Sequence, residues 1–222
     1  MELAQGGNGP VDAASATVVV DWTAASSALD VDASGYLLIE TGKVRGDADM
    51  VFYNQPSGAD GAVAIRVGSA AGGTKAAFDV DLQRLPAEVA RVVFCVTIND
   101  AAAKSQTVAQ LSPAFIAVGV KGGAASLRFA PTLAGATEAA MIFGELYRRQ
   151  ASWKFRAVGQ GFNGGLAPLA RSFGIDVADD PPAPPPPTPP AAPKPVSLSK
   201  VTLEKKGEAV SLEKKGASFG EI

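Results

Sequence analysis

Glu138-Ala-Ala-Met-Ile-Phe-Gly-Glu-Leu-Tyr-Arg-Arg149, followed by Gln150-Ala-Ser-Trp-Lys-Phe-Arg-Ala157, is the stretch on which the fold class turns. Taken alone, the first half suits a helix or a long strand, because its apolar residues satisfy either period. The second half decides between them. Trp153, Phe155 and Ala157 alternate with Lys154 and Arg156, the period-two pattern of a half-buried strand. A strand here calls for a hairpin partner, and 138–149 is the adjacent segment able to supply it.

Working outward, the same short alternating runs recur. Thr17 to Trp22, Tyr36 to Ile39 and Met50 to Tyr53 are expected as early strands. Val63, Ile65 and Val67 alternate with Ala64 and Arg66, and Phe78, Val80 and Leu82 alternate with Asp79 and Asp81. Asp79 and Asp81 are therefore expected on a solvated face. Val92 to Ile98 is apolar on both faces and reads as a central strand. Strands near Ile116 to Val120 and Leu127 to Phe129 complete the series. Gly, Asn, Asp and Pro clusters separate the runs, as in a sandwich. Helix is expected only as one turn at Pro86 and as an amphipathic segment from Gly164 to Phe173, stopped by Gly174. The expected fold class is all-β: an antiparallel β-sandwich of two sheets with one or two short helices.

Composition bounds the rest. Of 222 residues, 47% are apolar and 19% charged, with a net charge of -2, which is a globular composition with no footprint for a phosphate backbone. Nucleic acid is not expected as a partner. The first residues have no basic or apolar signal region and no run of about 18 apolar residues occurs, so a cytoplasmic protein without a membrane span is expected. The chain has no histidine and one cysteine. Histidine-based triads, proton shuttles and histidine-ligated metals are thereby excluded, and Cys95, inside Val-Val-Phe-Cys-Val-Thr-Ile, is expected as a buried hydrophobe. Oxygen chemistry remains: carboxylates, amides and hydroxyls, the ligands of hard cations.

Three segments organise the chain: a domain over 1–180, a linker over 181–195 and a tail over 196–222. The linker is Pro-Pro-Ala-Pro-Pro-Pro-Pro-Thr-Pro-Pro-Ala-Ala-Pro-Lys-Pro, which predicts an extended polyproline II spacer. In the tail, Leu203-Glu-Lys-Lys-Gly207 recurs as Leu212-Glu-Lys-Lys-Gly216, which reads as a hairpin without a core of its own.

Five segments together resemble the TerD family of tellurium resistance. They are Leu29-Asp-Val-Asp-Ala-Ser34, Gly46-Asp-Ala-Asp-Met-Val-Phe-Tyr-Asn54, Asp60-Gly61, Gly144-Glu-Leu-Tyr-Arg148 and Trp153-Lys-Phe-Arg-Ala-Val-Gly-Gln-Gly-Phe162. The resemblance implies a two-sheet sandwich and a role in bacterial tellurite resistance and general stress response, by interaction with other proteins, including other TerD-like domains. The tail resembles the opening strands of a second such domain. The resemblance also implies calcium, with Asp30, Asp32, Asp47, Asp49, Asn54 and Asp60 matching family donor positions. Where the family has an acidic run, this chain reads Val67-Gly-Ser-Ala-Ala-Gly-Gly-Thr-Lys-Ala-Ala-Phe78. Without a carboxylate there, at most one calcium is expected.

Three further features bear on function. Gly159-Gln-Gly-Phe-Asn-Gly164 fits a dinucleotide fingerprint, but no parallel strand with an acidic residue returns after it, so its glycines are expected to serve a tight corner. Arg148, Arg149, Lys154 and Arg156 lie beside Tyr147 and Trp153, a basic patch that suits either a solvated face with arginine stems on the rings or a site for a partner or oxyanion. Glu145 next to it would serve a divalent-metal-dependent hydrolase or transferase only with a second carboxylate, and the sequence places none beside it. A non-catalytic protein is the expectation.

Overall fold

A computed structural model describes residues 1–70 and 73–175, within the first of the chain's two units, Met1–Asp179. The expectations for the proline segment and the tail lie outside the described residues. The strands are β1 (Asn8–Pro10), β2 (Ser15–Ala24), β3 (Val31–Leu38), β4 (Met50–Val51), β5 (Ser57–Gly58), β6 (Val63–Ala70), β7 (Gly73–Asp81), β8 (Arg91–Ile98), β9 (Leu111–Val120), β10 (Ala125–Phe129), β11 (Ala140–Arg149) and β12 (Ser152–Phe162), with short helices α1 (Ala101–Lys104) and α2 (Leu166–Ser172).

Two six-stranded sheets form, ordered β1-β12-β11-β8-β3-β4 and β10-β9-β2-β7-β6-β5. Neighbouring strands within each sheet pair antiparallel. This is the expected all-β sandwich. The ambiguous stretch resolves as the β11–β12 hairpin, with Leu146 opposite Phe155 and Arg148 opposite Trp153. Inward residues of both sheets build the core: Val18, Val20, Phe78 and Ile116 from one, Phe94, Phe143 and Phe155 from the other, all fully buried. Phe78 and Phe94 meet across the gap with ring centroids 5.0 Å apart, and full burial of each such ring stabilises the fold by roughly 1.5–3 kcal/mol.

Val92–Ile98 is apolar on both faces for a reason the structure supplies. One face of β8 looks into the sandwich, and the other lies under α2, where Tyr36, Leu38, Val93, Cys95, Ala140, Ile142, Leu169 and Phe173 form a second apolar cluster. Phe173 packs on Tyr36 at 4.8 Å between centroids. The outer face of this sheet is thus half roofed by one helix.

Local differences from expectation have local causes. β3 begins at Val31 rather than Tyr36, so Asp32 belongs to a strand and pairs with Thr97. β4 stops at Val51, because Phe52 and Gln55 exchange backbone hydrogen bonds of 3.0 and 3.1 Å around Tyr53 and Asn54. Pro86 starts a turn closed by Val89 N–H to Pro86 O at 3.0 Å, not a helix. Asp79 and Asp81 are not simply solvated. Asp79 accepts hydrogen bonds from Thr17 and Arg66, and Asp81 accepts from the backbone N–H groups of Gln83 and Arg84.

The register of β11 shifts between Ile142 and Gly144. A Cβ at Gly144 would stand 2.6 Å from the Phe155 ring, so the ring's place in the core requires glycine there. At the far end of β12, Gly159, Gly164 and Gly165 have φ of 66°, 82° and 74°, the corner that returns the chain to α2.

Candidate functional site

Polar side chains concentrate in two places, the acidic loops singled out by sequence and the part of the outer face beside α2.

The acidic residues do not gather. Asp32 sits at the start of β3, where Asn99 Nδ2 donates to its Oδ2 at 2.7 Å. Asp30 is exposed and its carbonyl accepts from the Asn99 N–H. Asp47 and Asp49 form a 3-10 turn before β4, and Met50 pairs with Tyr36, four residues beyond Asp32 on β3. At about 3.3 Å per residue the two acidic pairs are separated by roughly 13 Å along the strand. Asn54 lies exposed in the turn after β4. Asp60 lies between β5 and β6, with a φ of 51° and its carbonyl accepting from Arg84.

Asp49 is also already occupied. It is 3% exposed, and Arg45 surrounds its carboxylate: the backbone N–H and Nε donate to Oδ2 at 2.8 and 2.9 Å, and Nη2 donates to Oδ1 at 2.6 Å. Hydrogen bonding to Asp49 pushes the Arg45 guanidinium above its usual range. Gln55 Nε2 braces the same turn through the carbonyls of Asp47 and Met50. Among the described residues, no group of three or more His, Cys, Asp or Glu is placed to hold a metal ion. Calcium takes about six to eight oxygens. The guanidinium of Arg45 stands where a cation would neutralise Asp49.

The outer face of the other region follows from register, since cross-strand partners share a face. One row across β3, β8, β11 and β12 is Leu38, Arg91, Tyr147 and Lys154, and the next is Tyr36, Val93, Glu145 and Arg156. The basic patch expected from sequence is therefore split. Lys154 and Arg156 stand on the outer face. Arg148 points the other way, stacking over Trp153 at 4.7 Å and donating to the carbonyls of Val89 and Pro86. Arg156 lays its guanidinium 4.5 Å over the Tyr147 ring, so the charged heads, as well as any stem contact, lie against the aromatic rings.

Beside α2 these rows open into a cleft of about 490 Å³. Leu38, Val93, Ile142 and Phe173 give it an apolar floor, and Arg91, Glu145 and Arg156 give it a charged wall. Glu145 is 6% exposed and pairs with Arg156 Nη1 at 3.1 Å. The Arg91 guanidinium has no hydrogen-bond or ion-pair partner among the described residues. Under α2, burial pushes the Cys95 thiol up, and burial with the nearby Cys95 does the same for the Tyr36 phenol, so both stay protonated. Cys95 is the buried hydrophobe expected.

The domain model described as "TerD domain" matches residues 1–173. The chain belongs to the TerD family. Among TerD relatives, the tellurium resistance protein TerD of Serratia marcescens is 40% identical over 190 residues, covering 80% of this chain and 99% of that protein. The tellurium resistance protein TerA of an Alcaligenes species is 49% identical over 175 residues, 78% of this chain but 48% of that protein, so this chain spans about half of TerA's length. General stress protein 16U of Bacillus subtilis is 37% identical over 152 residues, 67% of this chain and 79% of that one. Within the TerD frame, Arg45 and Arg91 are the site residues that sequence reading missed. Arg45 stands four before Asp49, a spacing visible in the sequence. Arg91 alternates with Val93 and Cys95, which places it on the outer face. Among the described residues, no helix is long and apolar enough to cross a membrane.

Proposed function

We propose that this TerD-family chain serves tellurium resistance and the stress response as a non-catalytic interaction module in the cytoplasm, and that its working face is the cleft between α2 and the Arg91–Arg156 wall. The observation that carries this reading is the cleft itself: a cation, Arg91, with no partner among the described residues, held on a central strand beside an apolar floor. Strands paired on both sides keep such a face preorganised, so little ordering entropy is lost on binding. Names of relatives, tellurium resistance protein and general stress protein, support the biological setting. Other proteins, including other TerD-like domains, are the partners this reading envisages.

The test is survival on tellurite of a bacterial strain lacking this chain, complemented with wild type or with Arg91→Gln/Arg156→Gln. Loss of protection by the double variant at wild-type levels of folded protein is the expected result. Equal protection would overturn the assignment of the face.

A further inference from the structure

We infer that the cleft binds a small amphipathic carboxylate, a monoanion with a short apolar body. The inference rests on reading the cleft as the working face, and it goes further by naming the ligand's chemistry.

Three observations select that class. The charged lining residues are Arg91, Arg156 and Glu145, two positive and one negative, so the wall carries one positive charge in excess. A monoanion balances it, whereas a dianion would meet the buried Glu145 carboxylate without compensation. The two cations are guanidiniums, whose planar forks match a carboxylate by paired hydrogen bonds. Arg156 is already fixed between Glu145 and the Tyr147 ring, which leaves Arg91, unpaired among the described residues, as the cleft cation with donors to offer.

The floor adds the second half of the ligand. Leu38, Val93, Ile142 and Phe173 belong to the apolar cluster under α2, and the small part of each that stays exposed, 2–7%, is the strip a short apolar body would cover. A volume of about 490 Å³ falls in the range of about 300–1,000 Å³ typical of small-molecule sites. Gln5 and Gln160 line the cleft as well, and Gln5 is tethered by its Nε2 to the Gly159 carbonyl at 3.2 Å.

Calorimetric titration of the full chain with octanoate, octan-1-ol and inorganic phosphate tests this. Octanoate is expected to bind, with octan-1-ol and phosphate each weaker by about tenfold or more, the loss expected for one charge-assisted contact. Arg91→Gln is expected to weaken octanoate by a similar factor. Amide shifts of the wild type with octanoate are expected at Leu38, Val93, Ile142 and Phe173, a readout that does not depend on how the variant folds. Absence of octanoate binding, equal binding of octan-1-ol or phosphate, unchanged affinity in Arg91→Gln, or shifts elsewhere would each overturn the inference. If the double variant loses tellurite protection while octanoate does not bind, the face stands and the ligand class falls.

Discussion

Arg156 holds Glu145, a carboxylate buried among strands, with Nη1 to Oε1 at 3.1 Å. The pair is unequal. Glu145 is almost wholly enclosed, whereas the Arg156 side chain is 43% exposed, so removing the arginine leaves a charge in the protein and removing the carboxylate leaves one near water.

That asymmetry predicts the stability of variants. Arg156→Ala should destabilise the fold by about 1–3 kcal/mol, the cost of a buried charged group left without its partner. Adding Glu145→Gln to it should recover part of the loss, because the neutral amide needs no counter-charge. Urea denaturation of the two variants checks this, and a double variant no more stable than Arg156→Ala would show that the pair is not what couples them.

Calcium should do little to the fold. Asp49 is neutralised by Arg45, and no group of three or more acidic side chains among the described residues is placed to hold a metal ion, so chelator should leave the melting temperature unchanged and millimolar calcium should raise it by no more than about a degree. A ligand that binds only the folded state raises its stability by RT times the logarithm of one plus the ratio of free ligand to Kd, so a site occupied well above its Kd shows as a higher melting temperature. A rise of several degrees, lost in Asp47→Asn/Asp49→Asn, would show that the acidic loops do close around an ion.

Asp79 contributes a pH-dependent term. Burial raises its pKa, but hydrogen bonds from Arg66 and Thr17 and the charges of Arg66 and Lys121 outweigh it, leaving the carboxyl below its usual range. A lowered folded pKa means the ionised form stabilises the fold above the unfolded value, about 3.9, and that this is lost as pH falls through the folded value. Asp79→Asn should therefore cost about 1 kcal/mol at neutral pH, as partly exposed ion pairs do. The gap from wild type should shrink in acid. A gap that persists undiminished to about pH 2 would point to packing instead of charge.

The β11–β12 hairpin was legible because alternation in Trp153, Phe155 and Ala157 is a local pattern that packing reinforces. Cys95 and the two apolar faces of β8 were legible for the same reason. The spacing between Asp32 and the Asp47–Asp49 turn was not, since it depends on where β3 begins and on which strand β4 joins, and these are long-range pairings. Arg45's claim on Asp49 needs the geometry of the intervening turn. The split of Arg148 from Lys154 and Arg156 follows from alternation along the hairpin, yet reading them as one patch overlooked that neighbouring residues on a strand face opposite ways.

Binding and turnover make different demands on Glu145, and one comparison separates them. As a partner that orients Arg156, Glu145 is replaceable by glutamine, whose carbonyl still accepts a hydrogen bond. As an acid or base in a reaction, it is not. Tellurite survival curves of cells carrying Glu145→Gln and Arg156→Gln, at equal levels of folded protein, therefore separate binding from chemistry at this face. With a binding role, Glu145→Gln keeps most of the protection and Arg156→Gln loses it; protection abolished by Glu145→Gln with the fold and the cleft intact would contradict that role and place chemistry at that carboxylate.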